Sequence, residues 1–195
     1  GEINKENKDH RWIIDPIDGT LNFLNGIPHF AISVGYEEKG EIVCGLIFDP
    51  IKNEIFFAEK GSGAFFNNSR IRVTKKKKLK NSILVTGGPK FNSPRKSDIF
   101  QEYIKVSNLT EANIRKFGSA ALNLSYVAAG RFDAYWEWEL NYWDIAAGIV
   151  ILKEAGGFIE LLEPESPTSF KRNVIASNSE IHEELKGVLV KKNIE

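Results

Sequence analysis

The chain has one cysteine, no methionine and no net charge, and none of its apolar runs is long. A single thiol, Cys44, excludes an internal disulfide framework, and a cytoplasmic location is the simplest expectation. Its setting, Ile42-Val43-Cys44-Gly45-Leu46, is that of a buried strand residue, which makes the sulfur core filler rather than a nucleophile. Lysine and arginine together number 26, as do aspartate and glutamate. That balance argues against a whole-chain footprint for nucleic acid or an anionic membrane. The longest apolar candidate, Ile145 to Leu152, falls far short of the roughly 18 residues a spanning helix needs. The chain starts abruptly, with no secretory signal visible. Neither repeats nor long linkers occur.

What is present is the material of one globular domain over residues 1–195, with 42% hydrophobic residues to build a core. Residues 1–11 are polar and predict a surface loop. Trp12-Ile13-Ile14 predicts a short buried strand that stops at Asp15-Pro16, because proline donates nothing to a ladder. Three β-rich runs follow, Phe30 to Tyr36, Ile42 to Phe48 and Glu54 to Ala58, spaced as an antiparallel meander, with further tight turns around Ala64-Phe65-Phe66. After Thr74 the texture changes. Lys75, Lys76, Lys77, Lys78 and Lys80 form a basic run, read as a solvated edge between subregions 1–80 and 81–195.

Beyond it, helical spacing appears over Ser97 to Val106, Ser119 to Ala129 and Trp143 to Ala155, the last stopped by Gly156-Gly157. Strands are expected at Ile83 to Thr86, Ala134 to Trp138, Phe158 to Leu161 and Val174 to Ala176. Ser179 to Lys192 closes the chain as a helix with Ser179 as its N-cap. Strands first, then alternating helix and strand, give an α+β class layered around one core.

Two stretches carry chemistry. Asp15-Pro16-Ile17-Asp18-Gly19-Thr20 sets two carboxylates three residues apart across a proline, at a sharp turn that can aim both side chains and the Ile17 carbonyl at one point. Hard divalent cations such as Mg²⁺ take oxygen ligands of this kind. Gly19 permits close approach to an anion, and Thr20 adds a hydroxyl and a backbone N–H where a phosphate is favoured. Asp-Pro and Asp-Gly are also ordinary turn pairs. The second stretch is Trp143-Asp144-Ile145-Ala146-Ala147-Gly148, where Asp144 opens an apolar helix and helix capping alone would account for it.

Together the two stretches resemble, in order and separation, the paired signatures of the inositol monophosphatase family. The likeness extends over Asn22-Phe23, Gly26-Ile27-Pro28-His29-Phe30, Asp49-Pro50, Glu59 to Phe65, Gly118-Ser119-Ala120-Ala121 and Glu154-Ala155-Gly156-Gly157. The first motif alone is shared with fructose bisphosphatases and bisphosphate nucleotidases. The resemblance implies a layered αβαβα sandwich and a Mg²⁺-dependent phosphomonoester hydrolase acting by metal-activated water, with myo-inositol monophosphate as substrate and a homodimeric state. It implies that Asp15 bridges two metals, that Ile17 lends its carbonyl, and that Asp18 and Asp144 hold the second ion. Gly19 and Thr20 would cradle the phosphate, and Thr20 would orient water. Gly118, Ser119, Ala120 and Glu137 would meet the substrate hydroxyls, with Arg115 near the substrate or an interface. A phosphohistidine mechanism fits poorly, since His10 and His182 lie in polar, surface-like stretches and His29 follows a proline.

Related branches, histidinol-phosphate phosphatase and bisphosphate nucleotidase, usually carry lysine after the motif threonine. Leu21 stands there in this chain and favours the inositol branch. Two readings of other classes are a contact of Lys75 to Lys80 with RNA or RNA polymerase components, and an inactive fragment. Family members carry about seventy residues before the first motif, including a metal-ligating glutamate and a water-activating aspartate. Only 14 residues precede Asp15, and Glu2 and Glu6 lie closer than the family spacing. The expectation is therefore a fold lacking its N-terminal helices, one bare sheet face, weak Mg²⁺ binding and hydrolysis of inositol monophosphate that is poor or absent.

Overall fold

A computed structural model describes residues 9–89, 93–162 and 171–190. The meander forms a six-stranded antiparallel sheet in the order β1 (His10–Asp18), β2 (Ala31–Glu38), β3 (Glu41–Asp49), β4 (Glu54–Glu59), β5 (Gly63–Phe66) and β6 (Ser69–Arg70). A five-residue helix, α1 (Thr20–Leu24), follows β1. The second half contributes α2 (Lys96–Thr110), α3 (Ala120–Ala128), α4 (Tyr142–Glu154) and α5 (Ser179–Val190). Its second sheet runs in the order β10 (Phe158–Leu162), β11 (Arg172–Ser177), β9 (Ala134–Leu140), β7 (Ile83–Thr86) and β8 (Asn113–Arg115). Within it β7 runs parallel to both β8 and β9.

The layering follows from which faces are apolar. Helices α3 and α4 are buried nearly all round, as helices held between two sheets must be. One core cluster joins Ala31, Ile47 and Phe56 of the first sheet through Leu124, Ile145 and Val150 to Val85, Tyr135 and Val174 of the second. A second cluster seals the outer face of that sheet, where Leu84, Trp136 and Ile175 meet Ile99 and Val106 of α2 and Ile181, Leu185 and Leu189 of α5. The described residues thus stack as sheet, helices, sheet, helices. Helix α4 sits close because Gly35 and Gly45 face each other in register beneath it. A methyl group on Gly45 would lie 2.6 Å from the Ala147 carbonyl oxygen.

On the opposite face of the first sheet, Ile14, Val34, Leu46, Phe57 and Phe65 run side by side across five strands. Trp12 and Ile14 are 62% and 44% exposed there, and no described element covers them. This agrees with the expectation of a bare sheet face. A cavity of about 540 Å³ lined by Leu46, Ile55, Phe57 and Phe65 belongs to that face, and none of the acidic motif residues lines it.

Several expectations need correction. The first strand is not buried and does not stop at Pro16. It is an edge strand that continues through a bulge to Asp18. Cys44 is only half-buried. His182 is not at the surface but 2% exposed, because β10 folds over it: Phe158 packs edge-on against its ring, and Glu160 lies 3.4 Å from Nε2. Ser179 does not cap α5. Asn178 does, its Oδ1 accepting from the N–H groups of Glu180 and Ile181. Helix α2 is longer than expected, and β8 was not expected at all. The lysine run lies in an extended connection, with Lys76 donating to the Asn81 carbonyl and Lys80 paired with Glu111. Glu2, Glu6 and Lys192 lie outside the described residues.

Candidate metal centre

A regular strand sends residues three apart to opposite faces. Asp15 pairs with Ser33 and Asp18 with Ala31, so three steps on β1 match two on β2. The extra residue is a β-bulge at Pro16-Ile17, which returns Asp18 to the face of Asp15. The turn is held locally: Asp15 Oδ1 accepts from the Ile17 N–H at 3.1 Å, and the Thr20 hydroxyl donates to the Ile17 carbonyl at 2.8 Å. Gly19 then takes a left-handed φ of 87°, and a Cβ there would stand 3.2 Å from the carbonyl oxygens of both Gly118 and His29. No other residue fits that corner without strain.

Asp144 arrives from the far end of the chain as the third residue of α4. Its Oδ2 reaches back to accept from the Asn141 N–H at 2.8 Å, a capping-box arrangement. Asn141, not Asp144, is therefore the N-cap, and Asp144 serves the cap from the third helical position. That role coexists with the other: one carboxylate oxygen from each of Asp15, Asp18 and Asp144 lies within 4.8 Å of the others. Asp18 is additionally fixed by the Ser119 hydroxyl, which donates to its Oδ2, and by the Ala121 N–H at 2.9 Å. Burial nevertheless pushes its carboxyl up to about 7. The two donors oppose that rise, and the neighbouring Asp144 and Asp15 add to it. Three clustered carboxylates form an all-oxygen, anionic donor set. It suits a hard divalent cation and offers nothing to a thiolate- or imidazole-seeking one.

Around the acids, Ser119 caps α3 by accepting from the Leu122 N–H, which sets the Gly118-Ser119-Ala120 loop beside Asp18. Glu137 stands on β9 with Tyr135 donating to its Oε2 at 2.7 Å. The Tyr135 phenol is driven well above its ordinary range by burial, with Glu137, Asp18 and Asp144 adding to the effect. The structure thus gathers Asp15, Ile17, Asp18, Gly19, Thr20, Gly118, Ser119, Ala120 and Asp144 directly and brings Glu137 alongside through Tyr135. It does not bring Arg115 to the acids. That side chain is exposed on edge strand β8 and donates to the neighbouring Ile114 carbonyl.

The profile of the inositol monophosphatase family matches residues 1–193. An inositol-1-monophosphatase of Caulobacter vibrioides is 42% identical over 188 residues, covering 95% of this chain and 73% of that protein. The chain belongs to the inositol monophosphatase family. A fructose-1,6-bisphosphatase/inositol-1-monophosphatase of Thermotoga maritima is 44% identical over 180 residues, 92% of this chain and 68% of that one. The crystal structure of the extragenic suppressor protein suhB from Bartonella henselae superposes with a TM-score of 0.87 at 46% identity. It covers 95% of this chain and 71% of that chain.

Within this inositol monophosphatase framework, three residues outside the expected site set position the site. Asn22 staples the first motif to the glycine loop, its Nδ2 donating to the carbonyls of His29 at 2.8 Å and Phe117 at 2.7 Å. Tyr135 orients Glu137 from the same strand, and their two-residue spacing was the available signal. Gly87 follows β7 where a Cβ would lie 1.9 Å from the Glu137 carboxyl carbon, so only glycine leaves room for that acid.

Proposed function

We propose that this chain hydrolyses a small polyol phosphomonoester, myo-inositol monophosphate by family likeness, with Mg²⁺ held by Asp15, Asp18, Asp144 and the Ile17 carbonyl. The observation that carries the reading is the convergence of three aspartates, two of them 126 or more residues from the third in sequence, within 4.8 Å. When bound, the cation supplies Lewis acidity: it lowers the pKa of a coordinated water and offsets charge developing on the leaving alkoxide. The chain does the rest. The N–H groups of Gly19 and Thr20, at the start of α1 where first-turn donors have no helical partner, hold phosphate oxygens. The Thr20 hydroxyl orients the attacking water. Glu137, aimed by Tyr135, accepts from a substrate hydroxyl, and the Gly118-Ser119-Ala120 loop lines the polyol. Arg115 contributes at an interface rather than at the reacting phosphate, consistent with its exposure and with a homodimer in the cytoplasm.

Asp15, Asp18, Asp144 and the Ile17 carbonyl would hold the cation, and Mg²⁺, which gives up water reluctantly, would keep several waters beside them. Mn²⁺ binding followed by electron paramagnetic resonance, beside phosphate release from inositol 1-phosphate at millimolar Mg²⁺, tests the proposal. Asp144→Asn should lower both by at least about tenfold. Phosphate release indifferent to chelator and to this substitution would overturn it.

A further inference from the structure

Strands β9 and β11 also meet through a bulge. Val174 pairs with Glu137 and Arg172 with Leu140, so three steps on β9 match two on β11. Glu139, inside the surplus stretch, takes a left-handed φ of 59°, and its N–H donates to Asn173 Oδ1 at 3.1 Å. A non-glycine residue keeps such a backbone only where its surroundings hold it there. The outcome is a register. With Arg172 opposite Leu140, Lys171 comes opposite Asn141, which follows β9 and caps α4. The side chains meet accordingly, the Lys171 ammonium donating to Asn141 Oδ1. At its other end the same amide donates from Nδ2 to Asp144 Oδ2 at 3.2 Å, and the Asn141 backbone N–H reaches that oxygen at 2.8 Å.

We infer that Lys171 is a positioning residue for the metal centre, holding Asp144 in its ligating orientation through the Asn141 amide. The inference rests on the reading of Asp144 as a metal ligand. A carboxamide has one accepting end and one donating end. Turned over, Asn141 would set Oδ1 against the Asp144 carboxylate and its NH₂ against an ammonium, two repulsive contacts in place of two favourable ones. The lysine therefore selects the orientation that gives Asp144 a second donor. A hydrogen bond from a cation also polarises the amide and strengthens its N–H on the far side. With Oδ2 engaged twice, the Asp144 carboxylate resists rotation about its last bond and meets a cation in one pose, so less ordering is left for the metal to impose. The charge of Lys171 acts in the other direction, since an ammonium on this side of Asp144 repels a divalent ion. Positioning and Coulomb repulsion thus give opposite signs for the loss of this side chain.

Mn²⁺ titration of the full chain, followed by electron paramagnetic resonance, reads that sign. Lys171→Met should weaken binding about tenfold, and Lys171→Arg, which keeps both donor and charge, should stay within about threefold of the parent. In an Asn141→Ala background the Lys171→Met change should no longer weaken binding, because the amide that transmits it is gone. Binding that tightens or stays unchanged in Lys171→Met, or that weakens as much without Asn141 as with it, overturns the inference. Hydrogen exchange in chelator follows the same link with no metal present. The Asn141 N–H should exchange faster in Lys171→Met while the Leu185 N–H of α5 keeps its rate, and equal exchange at Asn141 in both proteins overturns the inference. The two readings fail differently. A parent that binds Mn²⁺ beside a Lys171→Met variant that binds it equally well removes only the role of Lys171. A parent that binds none, like Asp144→Asn, removes the metal centre and this inference with it.

Discussion

Replacing Asp18 by asparagine isolates what the metal-free centre costs the fold. The Asp18 carboxyl is 6% exposed and lifted from an ordinary 3.8 to about 7 by burial first, then by Asp144 and Asp15. A folded pKa above the unfolded one means that the folded state binds the proton more tightly, so stability is lost as pH rises. The penalty is absent below about pH 4, grows through the interval and levels off above about 7, where it reaches about 4 kcal/mol. Asparagine carries no charge, yet its carbonyl oxygen can accept from Ser119 and from the Ala121 N–H as Oδ2 does, while its NH₂ turns toward Asp15 and Asp144. Urea unfolding in chelator at pH 8 should therefore find Asp18→Asn more stable than the parent. Moving to pH 5 should narrow the gap by about 3 kcal/mol. With Mg²⁺ at about 10 mM and a dissociation constant of about 1 mM, the parent should gain about 1.4 kcal/mol and the variant almost none. A variant no more stable than the parent at pH 8 without metal, or a gap that ignores pH, would refute the claim that these acids are held against their own repulsion for a cation.

Two further substitutions probe the scaffold. Asn22→Ala deletes both bonds to His29 and Phe117 and should cost about 1–3 kcal/mol in urea unfolding, with KM for the phosphoester rising as the glycine loop loosens. Gly45→Ala should destabilise by about 1–3 kcal/mol, because its methyl group would press on Ala147 and on Val150 at 2.7 Å. The same change at Gly40, which has nothing within 4 Å, meets only the strain of its φ of 82°.

The elements legible in the sequence are those whose signal is local. The meander, the small-residue helices and the two acidic motifs are each visible as a run of a few residues, and the structure forms the meander and the helices where their periodicity implies. Long-range packing was not legible. His182 sits in a polar stretch, and only the return of β10, more than twenty residues earlier, buries it against Phe158 and Glu160. The edge position of β1 is likewise a property of the sheet order, since Trp12 and Ile14 are as apolar as any core strand. Asn178 and Ser179 are equally suited as caps by side-chain chemistry alone. The choice is made by the Asn178 amide, which also ties down the carbonyls of Thr74 and Lys76.

The spacing of Asp15 and Asp18 shows how a sequence motif can conceal its geometry. Read as a strand, an odd separation puts the two carboxylates on opposite faces, one toward α4 and one toward the bare side of the sheet. The three-to-two mismatch against Ser33 and Ala31 resolves this, and proline, having no N–H to lose, is the residue that a bulge accommodates most readily. The double variant Ile17→Asp/Asp18→Ile discriminates between the two geometries at constant composition. Along a regular strand the swap would place both acids on one face and preserve the centre. On the bulged strand it moves the second acid to the half-exposed position of Ile17 and buries an isoleucine beside Ser119. Mn²⁺ affinity should fall at least about tenfold while circular dichroism stays close to that of the parent. Affinity retained within a factor of two would show that alternation, and not the bulge, aims the acids.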